Sequence, residues 1–256
     1  MERIERRAVV AAVLAGAVAA GTAGCGGDSG GQAAGRARTP QESLRAAAPG
    51  ADVAFRYTVA DADSTVEGVS APAARSGYLR VVPRPARGEK LTVTMSFLSA
   101  DQRLWTRIAL SEKVPGFTLP TSWMRVDRSK VTRTELLSGF AGDPTGATAL
   151  LGHTADVTGG AGRYAGTVDV TAVPEVAVAP AATVAALGAR AAALPFTAEV
   201  DDAHRLTRLE ISVPAAGRAP AYRRVATFAD YGSATVPEPP AAAVDAPAAV
   251  YDVLND

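Results

Sequence analysis

The segment LTVTMSFLSADQRLWTRIAL, residues 91–110, alternates apolar and polar side chains. In its first half, the alternation places two sets of residues on opposite faces of one strand. One face carries Leu91, Val93, Met95 and Phe97, and the other carries Thr92, Thr94, Ser96 and Leu98. An alternation of this kind is typical of a half-buried β-strand. Asp101 and Gln102 then form a turn into a second strand at residues 104–110. The segment predicts a long antiparallel hairpin with one face toward water.

The same alternation recurs on both sides of this hairpin. The sequence predicts further strands at residues 53–59, 65–70, 77–82, 122–127, 155–157, 163–171, 196–201, 206–213 and 222–231. Helical patterns occur at residues 39–48, 129–140, 143–151 and 180–194. Because most strands follow one another through short turns, the predicted fold class is α+β, a curved antiparallel sheet with a few helices.

Individual residues define the ends of these helices. Thr39 caps the first helix, Pro40 fills its first position, and Glu42 reaches back toward the cap. Asp143 is the predicted cap of the third helix, and Gly188 weakens the fourth near its middle. After Gly232 the chain becomes rich in Pro and Ala, so we expect an extended tail at residues 237–256 with at most a short helical turn at 250–254.

The composition excludes several functional classes. The chain has 256 residues, with 26 Lys plus Arg against 26 Asp plus Glu. This balance argues against a nucleic-acid partner, which requires a basic surface. Hydrophobic residues make up 48%, which is enough for one buried core. Cys25 is the only cysteine and His153 and His204 are the only histidines, so disulfide frameworks and multi-cysteine metal sites are excluded and no cofactor is expected.

The N-terminus has the pattern of a bacterial export signal. Arg3, Arg6 and Arg7 precede an uncharged run of small and apolar residues at 8–20. A membrane-spanning helix needs roughly 20 apolar residues, whereas the core of a signal peptide needs about 7 to 15. We therefore predict a signal peptide at residues 1–24. The twin Arg6-Arg7 also suggests twin-arginine export, although the flanking residues fit that pattern poorly.

Ala23-Gly24-Cys25 resembles the lipobox of bacterial lipoproteins, in which the cysteine is acylated and becomes the mature N-terminus. Thr22 stands where that motif usually has Leu. The resemblance implies lipidation of Cys25, whose sulfur would carry a diacylglyceryl group, and the palmitate chains of that group would anchor the protein at the extracytoplasmic face of the cell membrane. Each buried methylene contributes about 0.8 kcal/mol to such anchoring. An ordinary secretory signal with an incidental or reactive cysteine is the alternative.

A Gly-rich tether follows at residues 25–38 and leads to the folded domain at residues 39–236. Within the tether, residues 27–31 read GDSGG, the sequence around the nucleophile of trypsin-like proteases. Both histidines lie downstream of Ser29, which contradicts the order of the catalytic triad in that family. The segment GAGRYA at residues 160–165 resembles a dinucleotide-binding loop, but a strand pattern follows it. A hairpin turn is the better interpretation.

Three segments of the domain resemble the LppX/LprG-type lipoproteins of high-GC Gram-positive bacteria, which have a LolA-like fold. They are YAGTVDV at 164–170, LPFTAEVDD at 194–202 with RLTRL at 205–209, and TFADYG at 227–232. The resemblance implies a half-barrel, a curved antiparallel sheet with helices packed on its concave face. It also implies an apolar cavity that takes up acyl chains. None of the three segments is a catalytic motif.

The residues that could line such a cavity are large apolar side chains of the predicted strands. The candidates are Phe55, Tyr57, Val93, Met95, Phe97, Trp105, Phe196 and Phe228. Ordinary core burial is the commoner role of each of these side chains taken alone. The periodicity shows that one face is covered, but it does not distinguish a bound lipid from protein side chains.

Three functions follow from these observations. The first is a membrane-anchored extracytoplasmic lipoprotein that binds or carries a lipid or another hydrophobic ligand. The second is a non-catalytic envelope protein with a closed core that meets a protein partner through its outer sheet face or the loop at residues 114–120. The third is a hydrolase that uses His153 or His204 with Asp156 or Asp202. Since no nucleophile with a base and an orienting group is visible, we expect no enzyme.

Overall fold

The computed structural model describes residues 38–50, 52–85, 91–112, 119–132 and 143–255. The predicted signal peptide, Cys25 and nearly all of the tether lie outside these residues. Most of the predicted helix at 129–140 and most of the loop at 114–120 also lie outside them. The fold is α+β, with one large, curved and open sheet that is mostly antiparallel.

The described strands form a single sheet of twelve. Their order across the sheet is β12-β6-β5-β4-β3-β2-β1-β11-β10-β9-β8-β7. The strands are β1 (Phe55–Ala60), β2 (Ser64–Ala71), β3 (Ser76–Pro83), β4 (Val93–Ala100), β5 (Arg103–Leu110), β6 (Met124–Val126), β7 (Thr154–Gly160), β8 (Arg163–Val168), β9 (Leu194–Val200), β10 (Leu206–Val213), β11 (Tyr222–Ala229) and β12 (Val244–Asp245). The predicted hairpin is β4 and β5, in which Ala100 pairs with Arg103 around Asp101 and Gln102.

Two meanders make up this sheet, and they meet at β1. Tyr57 of β1 pairs with Gly68 of β2 on one side and with Phe228 of β11 on the other. At the far end, the register of β7 and β8 shifts between Ala155 and Thr158. The predicted turn at residues 160–165 is confirmed as the hairpin between these two strands.

Four α-helices occur in the described residues: α1 (Pro40–Ala46), α2 (Ala147–Gly152), α3 (Ala181–Leu187) and α4 (Ala248–Asn255). The cap of α1 is confirmed, because the Thr39 hydroxyl accepts from the Glu42 amide at 3.2 Å and the Glu42 carboxylate accepts from the Thr39 amide at 2.8 Å. The predicted helix at 180–194 is α only as far as Leu187. Gly188 has φ +56, and a 3₁₀ helix, Gly188–Ala193, continues from it.

The start of α2 differs from the prediction. Asp143 was expected to cap a helix at residues 143–151, but α2 begins at Ala147 after Gly146, whose φ is +72. The Asp143 carboxylate accepts from the amide of Thr145 at 2.9 Å in the preceding turn and from the amide of Thr148 at 2.7 Å in the first turn of α2, so it still satisfies one amide of the helix start. Gly146 adopts a left-handed conformation that interrupts the helical path.

One face of the sheet, which we call the inner face, carries both described hydrophobic clusters. The first cluster joins β1 and β8–β11 to three helices and includes Phe55, Phe228, Leu44 of α1, Leu150 of α2 and Leu187 of α3. The second cluster joins β4–β6 to α4 and consists of Phe97, Leu104, Ile108, Met124, Val126, Val131, Val250 and Leu254. Leu79 of β3 packs against both clusters, so they form two parts of one covered face.

The C-terminal segment is more ordered than its composition indicates. Val244 and Asp245 form β12, which pairs in parallel with β6, and α4 then returns over the second cluster. Val250 and Leu254 are 0% and 1% exposed. The Asn255 side chain closes the arrangement, because its oxygen accepts from the Thr132 amide at 2.8 Å and its nitrogen donates to the Lys130 carbonyl at 3.0 Å. The predicted extended tail is therefore corrected to a docked strand and helix.

The outer face of the β4–β5 hairpin also departs from the prediction. It was expected to be wet, yet Leu98 and Ser96 are 1% and 3% exposed. Trp105 pairs with Leu98 across the hairpin and is buried as well. The alternation predicted the two strands correctly. The prediction that this face of the hairpin is exposed to water is wrong for Ser96, Leu98 and Trp105.

Candidate functional site

The residues predicted to line a ligand cavity occupy three different environments. Phe55, Tyr57, Phe196 and Phe228 are buried in the first cluster. Phe97 is buried in the second cluster, and Val93 and Met95 are half-buried against it. Trp105 lies outside both clusters, on the outer face of the sheet beside Leu98. The structure therefore brings these residues together only in part.

The best-formed described cavity lies elsewhere, beside the β1–β2 turn and the start of β11 in the middle of the strand order. It has a volume of about 650 Å³ and is partly open to solvent. Its walls are the β1–β2 turn, the chain between β8 and α3, the first half of α3 and the start of β11. The lining residues are Asp61, Ala62, Asp63, Ser64, Val170, Thr171, Pro174, Ala177, Val178, Ala179, Pro180, Ala181, Val184, Ala185 and Tyr222. None of the sequence-predicted candidates is among them.

The chemistry of the lining is mainly apolar. Alanine, valine and proline side chains form most of the wall, and the volume falls within the range of about 300–1,000 Å³ that is usual for small-ligand sites. Small side chains leave space between the β1–β2 turn, the start of β11 and α3. Larger residues would fill this space. The cavity therefore offers an apolar chain a space that borders the first cluster, to which the lining residues Val170, Val178 and Ala179 belong.

Local hydrogen bonds fix the shape of this cavity. The Asp61 carboxylate accepts from the amides of Asp63 at 3.0 Å and Ser64 at 2.8 Å, which tightens the β1–β2 turn. On the opposite wall the chain forms a 3₁₀ turn, Pro174–Val176, and then passes through Ala177 with φ +48. The Tyr222 hydroxyl donates to the Val178 carbonyl at 2.9 Å and holds this wall against β11.

A buried cation, Arg224, lies two residues after the lining residue Tyr222 in β11. Arg224 of β11 is 8% exposed, and its guanidinium donates to the Thr145 carbonyl at 2.8 Å. Burial lowers the pKa of Arg224, while the negative charge of Asp61 opposes this change. Burial likewise raises the pKa of Tyr222, and Asp61 adds to the increase. The phenol therefore stays protonated and keeps its hydrogen bond at neutral pH.

The histidine pairs considered for hydrolysis remain on the surface. His153 follows α2 and His204 lies in the β9–β10 turn with φ +58, and both are exposed. No ion pair joins either imidazole to a carboxylate in the part of the chain that the structure describes. In the same residues no group of three or more His, Cys, Asp or Glu side chains could hold a metal ion. Within the described ranges no helix is long and apolar enough to cross a membrane.

Sequence patterns gave little warning of this cavity. Its walls come from a turn and from an irregular segment rich in small residues, and neither has the periodicity of a strand or a long helix. The run Val178 to Ala182 contains only small apolar residues next to proline, which is the one local signal of a thin wall. Most of this run lines the same cavity as Asp61, which lies more than a hundred positions earlier in the sequence.

Comparison with known proteins assigns no family to the chain. No protein-family model matches it. A search of curated proteins finds no match either.

Proposed function

We propose that this protein is a membrane-anchored extracytoplasmic lipoprotein that binds an apolar ligand in the cavity between the β1–β2 turn and α3. The observation that supports the proposal is the mainly apolar cavity of about 650 Å³ between the β1–β2 turn, α3 and the start of β11. Transfer of an alkyl chain from water into such a space contributes roughly 25 cal/mol for each Å² buried. Binding of this kind needs no catalytic group.

The lipobox-like motif and the curved sheet support the same proposal. Cys25 follows the apolar run and would carry the acyl chains that hold the domain at the membrane. A large antiparallel sheet with helices over one face is the architecture expected of LolA-like lipoproteins, and we propose that the chain has this fold.

Growth with labelled palmitate should label the native protein, whereas Cys25→Ala should remove the label. Label on the Cys25→Ala variant would contradict anchoring through this thiol.

The cavity is tested by filling it. In Ala185→Trp a lining residue of α3 becomes large, so we expect the affinity for a neutral apolar dye, N-phenyl-1-naphthylamine, to fall by about tenfold or more. Ala182→Trp is the matched control, because Ala182 is exposed on the same helix and does not line the cavity. Fluorescence titration of the soluble domain gives both affinities. Equal affinities for the two variants would contradict binding at this site.

A second candidate function is supported by the packing of the sequence-predicted residues. Phe55, Phe196 and Phe228 are at most 4% exposed in the first cluster, as a closed core requires. A non-catalytic envelope protein with a protein partner would have such a core. Mass spectrometry of extracts from the purified protein separates the two candidates: co-purified lipid supports the carrier, and absence of both lipid and dye binding supports the closed core.

A further inference from the structure

The polar end of the cavity has an unequal supply of hydrogen-bond donors and acceptors. Five lining side chains are polar: Asp61, Asp63, Ser64, Thr171 and Tyr222. The cavity around them is otherwise apolar, so these groups determine which head group an apolar ligand can have. Their existing hydrogen bonds show which of them are available to a ligand.

The three hydroxyl donors are all engaged within the protein. Tyr222 donates to the Val178 carbonyl at 2.9 Å, and Thr171 donates to the Asp169 carboxylate at 2.6 Å. Ser64 donates to the Asp61 carboxylate at 3.3 Å. Among the lining side chains, none can donate to a ligand that offers only acceptors, such as an ester or a carboxylate, without breaking one of these bonds.

The acceptors, by contrast, are available. One oxygen of Asp61 holds the turn, and in the described part of the chain no group donates to its other oxygen or to the carboxylate of Asp63. Asp63 is exposed at the mouth. The wall therefore presents carboxylate oxygens that can accept hydrogen bonds from a bound molecule.

The neighbouring cations do not reverse this preference. No Lys, Arg or His side chain belongs to the described lining. The Arg224 guanidinium is buried and donates to the Thr145 carbonyl, and Arg84 donates to the Ala62 carbonyl at 3.3 Å from an exposed position. Asp61 and Asp63 are the charged groups that face the cavity itself, and they repel a negative head group.

We infer that the cavity selects an amphiphile whose head group donates hydrogen bonds and carries no negative charge, such as an acylated polyol. This inference rests on the proposed function, because it assumes that the apolar tail enters the cavity. Hydroxyl groups of the ligand donate to Asp61 and Asp63 while the tail lies against Val178, Val184 and Ala185. Fatty-acid and phosphate-headed chains are disfavoured at the same place.

Three probes with the same twelve-carbon acyl chain test the inference. Glycerol monolaurate donates hydrogen bonds, methyl laurate only accepts them, and laurate is an anion at pH 7.4. We expect the monoglyceride to displace the bound dye at a concentration roughly five to ten times lower than laurate does, with methyl laurate between them. Added salt should reduce the difference between the monoglyceride and laurate, because it screens the carboxylates.

Variants assign the preference to particular carboxylates. Asp63→Asn removes one negative charge without removing a described hydrogen bond. Laurate should therefore displace the dye at a lower concentration, and the difference between laurate and the monoglyceride should narrow to about twofold. Asp61→Asn is the second variant, since an amide oxygen can still accept from the turn. Asp202→Asn is the matched control, because Asp202 is exposed in the β9–β10 turn away from the lining. Thermal melting checks that each variant is folded.

The outcomes separate this inference from the proposed function. If laurate or methyl laurate displaces the dye as well as the monoglyceride does, the inference is overturned while apolar binding remains. If Asp63→Asn and Asp61→Asn leave the preference for the monoglyceride over laurate unchanged, these two carboxylates are not its cause and the inference is overturned. If the dye binds and no probe displaces it, the inference fails; if the dye does not bind, the proposed function fails with it.

Discussion

Gly68 shows how closely one residue controls the middle of the sheet. It pairs with Tyr57 of β1, and a methyl group at this position would lie 2.6 Å from the Tyr57 hydroxyl oxygen. The carbonyl of Tyr78 on β3 lies even closer to the same point. Because backbone cannot move aside as a flexible side chain does, glycine is required where the phenol ring crosses β2.

Gly68→Ala should therefore lower the free energy of unfolding by about 1–3 kcal/mol, the usual effect of forcing extra atoms into a packed site. Urea denaturation of the purified protein measures the change. Gly160→Ala is the control, because a methyl group there meets nothing within 4 Å. We expect that variant to stay within about 0.5 kcal/mol of the parent. A Gly68→Ala protein as stable as Gly160→Ala would contradict the packing described for Tyr57.

The elements differ in how far their own sequence determines them. Thr39 and Glu42 specify the start of α1 through contacts three residues apart, and the β4–β5 hairpin follows from local alternation. The segment around Val250 and Leu254 has helical spacing, but its Pro and Ala surroundings are typical of an extended tail. Its helix is stabilised by the second cluster, whose strands lie more than a hundred residues earlier. Such long-range packing cannot be read from a local pattern.

Leu254→Ala should test whether α4 is an integral part of the domain. The side chain is 1% exposed in the second cluster, so its truncation should cost about 2–5 kcal/mol. Asp252→Ala, on the exposed side of the same helix, controls for helix propensity and should have little effect. Urea denaturation compares the two proteins. Equal midpoints would show that α4 contributes nothing to the stability of the cluster.

Acidic groups across the whole molecule couple its stability to pH. Hydrogen bonds lower the pKa of Glu42, Asp127 and Asp169, through the Thr39 amide, the Ser129 hydroxyl and the Thr171 hydroxyl respectively. At Asp201 burial raises the pKa, but hydrogen bonds and the charge of Arg205 outweigh it and lower the pKa overall. Each folded carboxyl thus binds its proton less readily than the unfolded chain does.

The sign of the pH effect follows directly. Unfolded Asp and Glu titrate near 3.8 and 4.5, so the stabilisation is fully present above these values and is lost as pH falls through the lower folded pKa values. The melting temperature should fall markedly between pH 6 and pH 3. Thr171→Val, which removes the hydroxyl donor to Asp169, should weaken this dependence. Equal melting temperatures at pH 6 and pH 3 would contradict the contribution of these carboxylates.

At the scale of the whole molecule, the sequence predicted the strands better than their arrangement. The α+β class and the antiparallel hairpins follow from alternation, whereas the pairing of β1 with β11 depends on residues such as Tyr57 and Phe228, far apart in the chain. The cavity depends on a similar meeting of Asp61 and Val178. Trp105 illustrates a further limit, because alternation does not show that both faces of the sheet are buried where Trp105 pairs with Leu98.

The two ends of the open sheet have consequences for association between copies of the chain. An unpaired outer strand is a template for intermolecular β-pairing and aggregation. At one end β12 has two residues, and at the other β7 is interrupted by a bulge between Ala155 and Thr158, with Asp156 at φ +52. Neither end of the described sheet offers a long regular ladder, so crowding of many copies would not readily extend the sheet from one molecule to the next.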